Sequence, residues 1–529
     1  MYNTPPEYLE ELVNCVINQT YTNLELCLAD GSKHKSENID KIIQKDDRIV
    51  YKFLNENKGI SGNSNAALEM ATGDYIMLLD HDDLLPIFCL YEIVKKINES
   101  PEVEFIYTDE DHIEGNKRCK PHFKPDFAID TLRANNYITH LAIFKKELLD
   151  KIGDFRDEFN GAQDYDIILR AIENTNKIAH IPKILYNWRI HANSTSMLAD
   201  AKPYAYEAGK RAVESHLKRQ NVEAKVTHNE DLKGTYEIEY KIIGNPSVSI
   251  IIPNKDNIKL LKKCINSILE LTTYKNYEIV IVENNSTNKK TFKYYKQMEQ
   301  NEKVRIITYK EKGFNYSKIV NFGVKNCKSD FIIQLNNDTK LLTPRWLEKF
   351  VGFAQRQDVG AVGAKLYYKD KSIQHSGIGI GILGLAANLF VNTPKNAHAY
   401  FGRENLIRNV SAVTGACLCC RREIYEEVGY MDEENFAVAF NDVDLCLKIR
   451  EKGYLIVYNP YVEFIHYESK TRGYENTIEK KERFEKECNN FKEKWKKELE
   501  AGDPYSNINF LQNTAHYKVR PDKSREENK

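Results

Sequence analysis

The sequence has no apolar run long enough to cross a bilayer. Its longest weakly polar stretch, residues 377–391, is glycine-rich and falls short of the roughly 20 residues a spanning helix needs. Membrane contact is therefore expected to be peripheral. Neither charge is in excess, with 76 Lys and Arg against 77 Asp and Glu, so the chain lacks the broad basic footprint of a nucleic-acid binder. A cysteine framework is also missing. The 11 Cys are scattered, and the one cluster, Cys417-x-Cys419-Cys420, has no second ligand pair for structural zinc; a reducing, cytoplasmic setting is expected. Residues 1–11 are polar and show no secretory signal pattern. No Gly-rich loop bearing Arg and Lys follows Ile252, which disfavours a nucleotidylyltransferase, and nothing points to a covalent nucleophile.

What the chain does have is one acidic pattern written twice, about 255 residues apart. The first copy runs Gly73-Asp-Tyr-Ile-Met-Leu-Leu-Asp80-His81-Asp82-Asp83, then Gly161-Ala-Gln-Asp164-Tyr-Asp166, then Trp188-Arg-Ile-His191. The second runs Ser329-Asp-Phe-Ile-Ile-Gln-Leu-Asn336-Asn337-Asp338-Thr339, then Phe440-Asn-Asp442-Val-Asp444, then Phe464-Ile-His466. An apolar strand ending in carboxylates delivers a metal site to the carboxyl edge of a sheet, where open α/β folds bind ligands.

With 529 residues, two domains of roughly 250 are expected. Apolar runs alternate with helical patterns. Strands are predicted at residues 24–29, 75–79 and 105–108 and again at 248–252, 277–282 and 331–335, with helices at 7–18, 63–71, 204–219 and 257–271. This rhythm predicts an α/β fold with mainly parallel sheets. Asn245-Pro246 marks a boundary, giving domains at 1–244 and 245–475, and 476–529 reads as a charged helical extension and tail. The second domain opens with a buried strand, Ser247-Val-Ser-Ile-Ile-Ile-Pro253, whereas Met1-Tyr2-Asn3-Thr4-Pro5 matches only the turn after it. The first domain is thus expected to lack its opening strand, an interior one in a doubly wound sheet.

Together with Tyr107-Thr-Asp-Glu-Asp111, Lys124-Pro-Asp-Phe127, Val413-Thr-Gly-Ala416 and Ser194-Thr-Ser196, these motifs make the chain resemble a tandem member of the inverting family 2 glycosyltransferases, up to about residue 475. The resemblance implies two Rossmann-like GT-A domains that move a sugar from a nucleotide sugar, carrying UDP or dTDP, to a growing glycan or a lipid-linked oligosaccharide in surface polysaccharide synthesis. It makes Asp80 and Asp82 the metal motif of the first domain with His191 as distant ligand, and Asn336 and Asp338 with His466 those of the second. Asp164 and Asp442 become the catalytic bases. Nucleotide contacts fall on Asp30, Asn65, Pro253, Lys255, Asn284 and Asn321, and acceptor-side residues on Thr414, Gly415 and Ala416.

The chemistry gives these types a reason. Expelling a nucleoside diphosphate develops charge that Mg²⁺ or Mn²⁺ neutralises; hard oxygens suit both, and an imidazole tilts the choice toward Mn²⁺. The acceptor hydroxyl must lose a proton, which a carboxylate base accepts.

Each residue alone has a plainer reading. Asp164 or Asp442 before an apolar helix is more often an N-cap, Asp83 a turn former, and His191 or His466 a packed histidine. Their ordered duplication tips the balance. The segment 374–422, with no evident counterpart in the first domain, divides evenly between an acceptor-side region and a long loop with a buried Cys-rich strand. Two other functions stay open: a first domain that only positions the acceptor, and a non-catalytic carbohydrate-binding scaffold.

Overall fold

The computed structural model describes residues 1–35, 38–115, 117–190, 203–467 and 477–521. It divides into two compact units, residues 1–238 with 507–509 and 521, and residues 239–506 with 510–520.

Unit 2 is built around a ten-stranded mixed sheet. The strand Val248–Asn254 sits inside it, parallel to Tyr277–Asn284 on one side and to Phe331–Leu335 on the other. Its Val-Ser-Ile-Ile-Ile run suits an interior strand covered on both faces. Ile250, Ile251 and Ile252 are fully buried, each contributing about 1.5–3 kcal/mol. Helix Ile258–Leu271 covers this region with Leu261, Cys264, Ile265 and Ile268, spaced at three and four residues. Beyond Phe331–Leu335 the sheet departs from the parallel expectation. Cys417–Arg421 runs antiparallel to Phe331–Leu335 and to Val359–Tyr367, because the chain re-enters from the long segment after His375 rather than from a crossover helix. Cys417, Cys419 and Cys420 are buried free thiols in that strand.

Unit 1 has the same pieces on a divided sheet. Leu26–Asp30 pairs with Ile49–Phe53 as a separate parallel ribbon. Tyr75–Met77 belongs to a second, five-stranded sheet, beside Ala142–Lys145. Among the described residues no strand joins the two, and the division falls where Val248–Asn254 bridges Tyr277–Asn284 and Phe331–Leu335 in unit 2. Met1 takes one rung of that place: its amine donates to Ala29 O at 2.7 Å, and Gly31 N donates to Met1 O at 3.0 Å. Most pairings of the second sheet are antiparallel, again unlike the parallel expectation. Its one parallel pairing is Phe105–Glu114 with Ile178–Ile190.

The segment 374–422 does have a partial counterpart. Ala142–Lys145 followed by helix Lys146–Ile152 repeats Cys417–Arg421 followed by helix Arg422–Glu427, and Tyr75 faces Lys145 as Phe331 faces Arg421. Helix Ile478–Lys494 is not the exposed tail its Lys and Glu suggest. It buries Phe491, and the following Trp495 donates its indole N–H to Asp444 at 3.0 Å. These two apolar anchors, four residues apart and set among charges, fasten it to unit 2.

Candidate active sites at the sheet edges

In unit 2 the metal motif lies just past Phe331–Leu335. The antiparallel pairing of Thr339–Leu341 with the end of Leu455–His466 sets Thr339 opposite His466, which carries the distant histidine to the motif. His466 Nε2 lies 3.1 Å from Asp338 Oδ1 and 3.3 Å from Asn336 Nδ2. On the far side of the ring, Nδ1 meets Gln374 Oε1 at 2.7 Å, a partner that leaves Nε2 facing the motif. Asp338 and His466 are buried and Asn336 partly so. One carboxylate, one amide and one imidazole converging at a strand end fit a divalent cation of the Mg²⁺ or Mn²⁺ kind.

Asp442 reaches the same edge through one backbone residue. Its Oδ2 accepts from Gly415 N at 2.8 Å, and Gly415 O lies 3.3 Å from the Tyr316 hydroxyl, which also donates to Asn336 Oδ1 at 2.8 Å. Gly415 is closely approached: a Cβ there would come within 2.3 Å of Gln334 Nε2, so that side chain would have to shift. Asp442 is the second residue of helix Asn441–Glu451, whose N-cap is Phe440; its Oδ2 is aimed at the loop, while Oδ1 accepts from Val443 N in the first helical turn at 2.9 Å. Burial raises its pKa, partly offset by the Gly415 and Val443 N–H donors. Thr414 is half-buried beside it and Ala416 is buried.

In unit 1 Asp164 likewise follows an Ala162 N-cap. It accepts from Asn136 Nδ2 at 2.9 Å, and burial raises its pKa while the charge of His140 opposes this. Asp80 is exposed, Asp82 half-buried and Asp83 buried. The ligand atoms brought within 4.8 Å of one another belong to Asp80, Asp83 and His140; Asp82 Oδ1 lies 4.0 Å from His81 Nδ1. His191 and residues 194–196 lie outside the described residues.

The nucleotide-side residues fall at equivalent strand ends. Asp30 is buried, accepting from Ser32 N at 3.0 Å and the Tyr51 hydroxyl at 3.0 Å. Asn284 ends its strand with Oδ1 on Asn285 Nδ2 at 3.0 Å. Pro253 is half-buried and Lys255 exposed. Between them Asn254 joins Asn337 at 2.6 Å to Tyr295 at 2.7 Å, whose hydroxyl meets Glu283.

Asn65 and Asn321 need a different role. Asn65 exchanges two hydrogen bonds of 2.9 Å with the backbone of Phe155. Asn321 does the same with Met431 at 2.9 and 3.1 Å. Both amides are thereby engaged in holding the loop ahead of the Asp164 or Asp442 helix, not in facing a nucleotide. Tyr316, Gln374 and His140 escaped the sequence reading. Gln374 opens the segment 374–422, and His140 becomes visible once Ala142–Lys145 is matched to Cys417–Arg421.

Each of the two α/β units presents at least one carboxylate just past a strand end and a further Asp in the first turn of a helix. The profile of Glycosyl transferase family 2 matches residues 1–153 and 249–429, and the chain belongs to that family, whose GT-A architecture it carries in tandem. It is 41% identical over 517 residues to the "Uncharacterized protein y4gI" of Sinorhizobium fredii, covering 96% of this chain and 57% of that protein. It is 32% identical over 477 residues to the O-antigen biosynthesis protein RfbC of Myxococcus xanthus, covering 89% of this chain and 37% of that one. The chain thus spans about half or less of these relatives' length. Among solved structures, GalNAc-T7 with UDP, GalNAc and Mn²⁺ is similar at 15% identity and a TM-score of 0.37, covering 46% of this chain and 47% of that one. Among the described residues no helix is long and apolar enough to cross a membrane.

Proposed function

We propose that the chain is an inverting glycosyltransferase that moves a sugar from a nucleoside-diphosphate donor, UDP- or dTDP-linked, to a growing glycan or lipid-linked oligosaccharide in surface polysaccharide synthesis, working in the cytoplasm with peripheral membrane contact. The observation that carries this reading is the convergence in unit 2 of Asn336, Asp338 and His466 with Asp442, joined through Gly415 and Tyr316. Family membership and the likeness to an O-antigen biosynthesis protein support it.

Asn336, Asp338 and His466 would hold Mn²⁺ or Mg²⁺, which when bound neutralises charge developing on the leaving diphosphate. Gln374 fixes the His466 ring. Asp442, with its affinity for a proton raised by burial, accepts the acceptor hydroxyl's proton as that oxygen attacks the anomeric carbon. The donor's C–O bond to the diphosphate breaks on the opposite face, so the configuration inverts. Asp30 and Asn284, at the ends of equivalent strands, would contact the nucleobase, with Pro253 and Lys255 beside the latter.

A screen of UDP-, dTDP- and GDP-sugars with Mn²⁺, reading donor hydrolysis and transfer, tests this; no turnover of any nucleotide sugar with a glycan acceptor would reject it. The divided sheet of unit 1 favours one second reading, in which unit 1 positions the acceptor and unit 2 alone does chemistry.

A further inference from the structure

We infer that Glu487, on the helix Ile478–Lys494, is a positioning residue for Asp442 of unit 2, acting through the backbone of the loop that leads into the Asp442 helix. The inference rests on the reading of Asp442 as the base. Glu487 is buried, and each oxygen of its carboxylate takes one of two successive N–H groups. Val438 N donates to Oε1 at 3.2 Å and Ala439 N to Oε2 at 2.7 Å. Bonds from a backbone N–H to an ionised carboxylate are about twice as strong as neutral ones. Both fall just ahead of Asp442, where the chain turns into the helix Asn441–Glu451.

That turn needs to be held. Its N-cap, Phe440, has a φ of 60°, in the left-handed region that favours glycine, and another residue persists there only where its surroundings fix it. The same helix face supplies the surroundings. Phe484 and Phe491, on either side of Glu487 at helical spacing, stack on the Phe440 ring with centroids 6.1 and 4.9 Å away. Asn490 Nδ2 donates to Asn435 O at 3.1 Å, and Lys494 Nζ lies 3.2 Å from Asp432 Oδ2 and 2.7 Å from Asp444 Oδ1. The loop is also tied to the start of the helix Tyr316–Lys325, since Tyr316 N donates to Ala437 O at 2.7 Å and Ser317 Oγ to Phe436 O at 2.5 Å. The hydroxyl of Tyr316 that meets Asn336 and Gly415 is therefore anchored on the same loop.

Unit 1 makes the corresponding turn from within. Counting back from Asp164 as from Asp442, Asn160 and Gly161 stand where Val438 and Ala439 do. Asn160 N donates to Asp157 O at 3.1 Å and Gly161 N to Gln163 Oε1 at 3.0 Å, and the positive φ falls on the glycine, at 98°. Unit 2 has no glycine between Asp432 and Asp442. Its two N–H groups find their acceptor 49 and 48 residues further along the chain, and Arg483 Nε lies 3.7 Å from that carboxylate. Displacing a positioned base by about 1 Å costs up to about 10²-fold in rate, so a loop held from outside puts the reach of Asp442 under the control of Glu487.

The test uses the full chain carrying Asp164→Asn, so that transfer reports unit 2, and reads kcat per folded molecule, KM for the donor and the thermal midpoint. Glu487→Gln keeps the shape of the side chain but turns a donor toward one of the two N–H groups. It should lower kcat about 10- to 10²-fold, with the donor KM changed by less than about twofold. Added to Asp442→Asn, the same substitution should lower kcat by less than about twofold, because the carboxylate through which Glu487 acts is gone. Trp495→Phe, which loosens the helix at Asp444 and leaves residues 438 and 439 untouched, should lower the thermal midpoint with kcat changed by less than about threefold. Should Glu487→Gln fail to fold, Glu487→Asp, which keeps the charge on a shorter stem, is read in the same way. An unchanged kcat, equal fold-losses with and without Asp442, or equal losses of kcat from Trp495→Phe and Glu487→Gln would make Glu487 a docking residue only, overturning the inference and leaving Asp442 as the base. A starting chain without transfer, or a normal rate per folded molecule from Asp442→Asn alone, overturns the reading of the base and this inference with it.

Discussion

Unit 1 and unit 2 carry their motifs in the same order on sheets of different continuity. In unit 2 the motif strand Phe331–Leu335 is clamped between Val248–Asn254 and Cys417–Arg421. In unit 1 Tyr75–Met77 has Ala142–Lys145 on one side and, among the described residues, no strand on the other. The consequence is visible in the carboxylates. Asp338 is buried against His466, whereas the Asp80 side chain is 62% exposed. A parallel strand interior to a sheet supplies backbone partners on both sides and fixes the direction in which the following turn leaves.

The largest effect expected is from metal removal. Excess chelator should abolish transfer, and Mn²⁺ or Mg²⁺ should restore it; full activity in chelator would remove the cation from both units. Next, Asp442→Asn should lower the rate by roughly 10²- to 10⁴-fold. The folded pKa of Asp442 is raised, so the folded chain binds that proton more tightly than the unfolded one, and ionising it weakens the fold as pH rises through the window between the two values. Asp442→Asn should therefore keep or raise the thermal midpoint at neutral pH. The acid limb of the wild-type rate should lie above the ordinary carboxylate value of about 4. A collapsed midpoint with a normal rate per folded molecule would make Asp442 structural.

Asp338→Ala against Asp80→Ala measures the asymmetry itself. The first should remove at least about tenfold more activity, because its carboxylate is buried in a complete site and bonds to charged groups there are the strong ones. Equal losses would show that the divided sheet does not impair unit 1. Gly415→Ala should cost up to about 10²-fold in kcat by shifting the loop that meets Asp442, with stability checked by thermal melting; an unchanged kcat would show that the Asp442 and Gly415 contact is incidental. The smallest effect expected is a gain. Fusing the unit 2 sequence 247–254 ahead of Met1 should raise the first melting transition by a few degrees, about 2–4 °C per kcal/mol for a domain this size, if the strand enters the division in unit 1. No shift would mean the gap is already satisfied.

Sequence by itself determined the α/β class, the duplication and the strands carrying the motifs. Each of these is local: a β-branched run reads as a buried strand, and carboxylates after it must emerge at a sheet edge. Asp338 and His466 could be paired in advance because their order repeats, and the antiparallel register of Thr339 with His466 is what makes them touch. Other features only the tertiary structure decided. Asn65 and Asn321 look like ligand-facing amides until the loops at Phe155 and Met431 close on them. The helix Ile478–Lys494 looks exposed until Phe491 and Trp495 find the core. His140 has no motif of its own, and its nearness to Asp80 depends on a buried Lys124 and Glu110 that lie 16 and 30 residues away in the chain. Such contacts are set by where separate elements pack, and no periodicity or spacing along the chain encodes that distance.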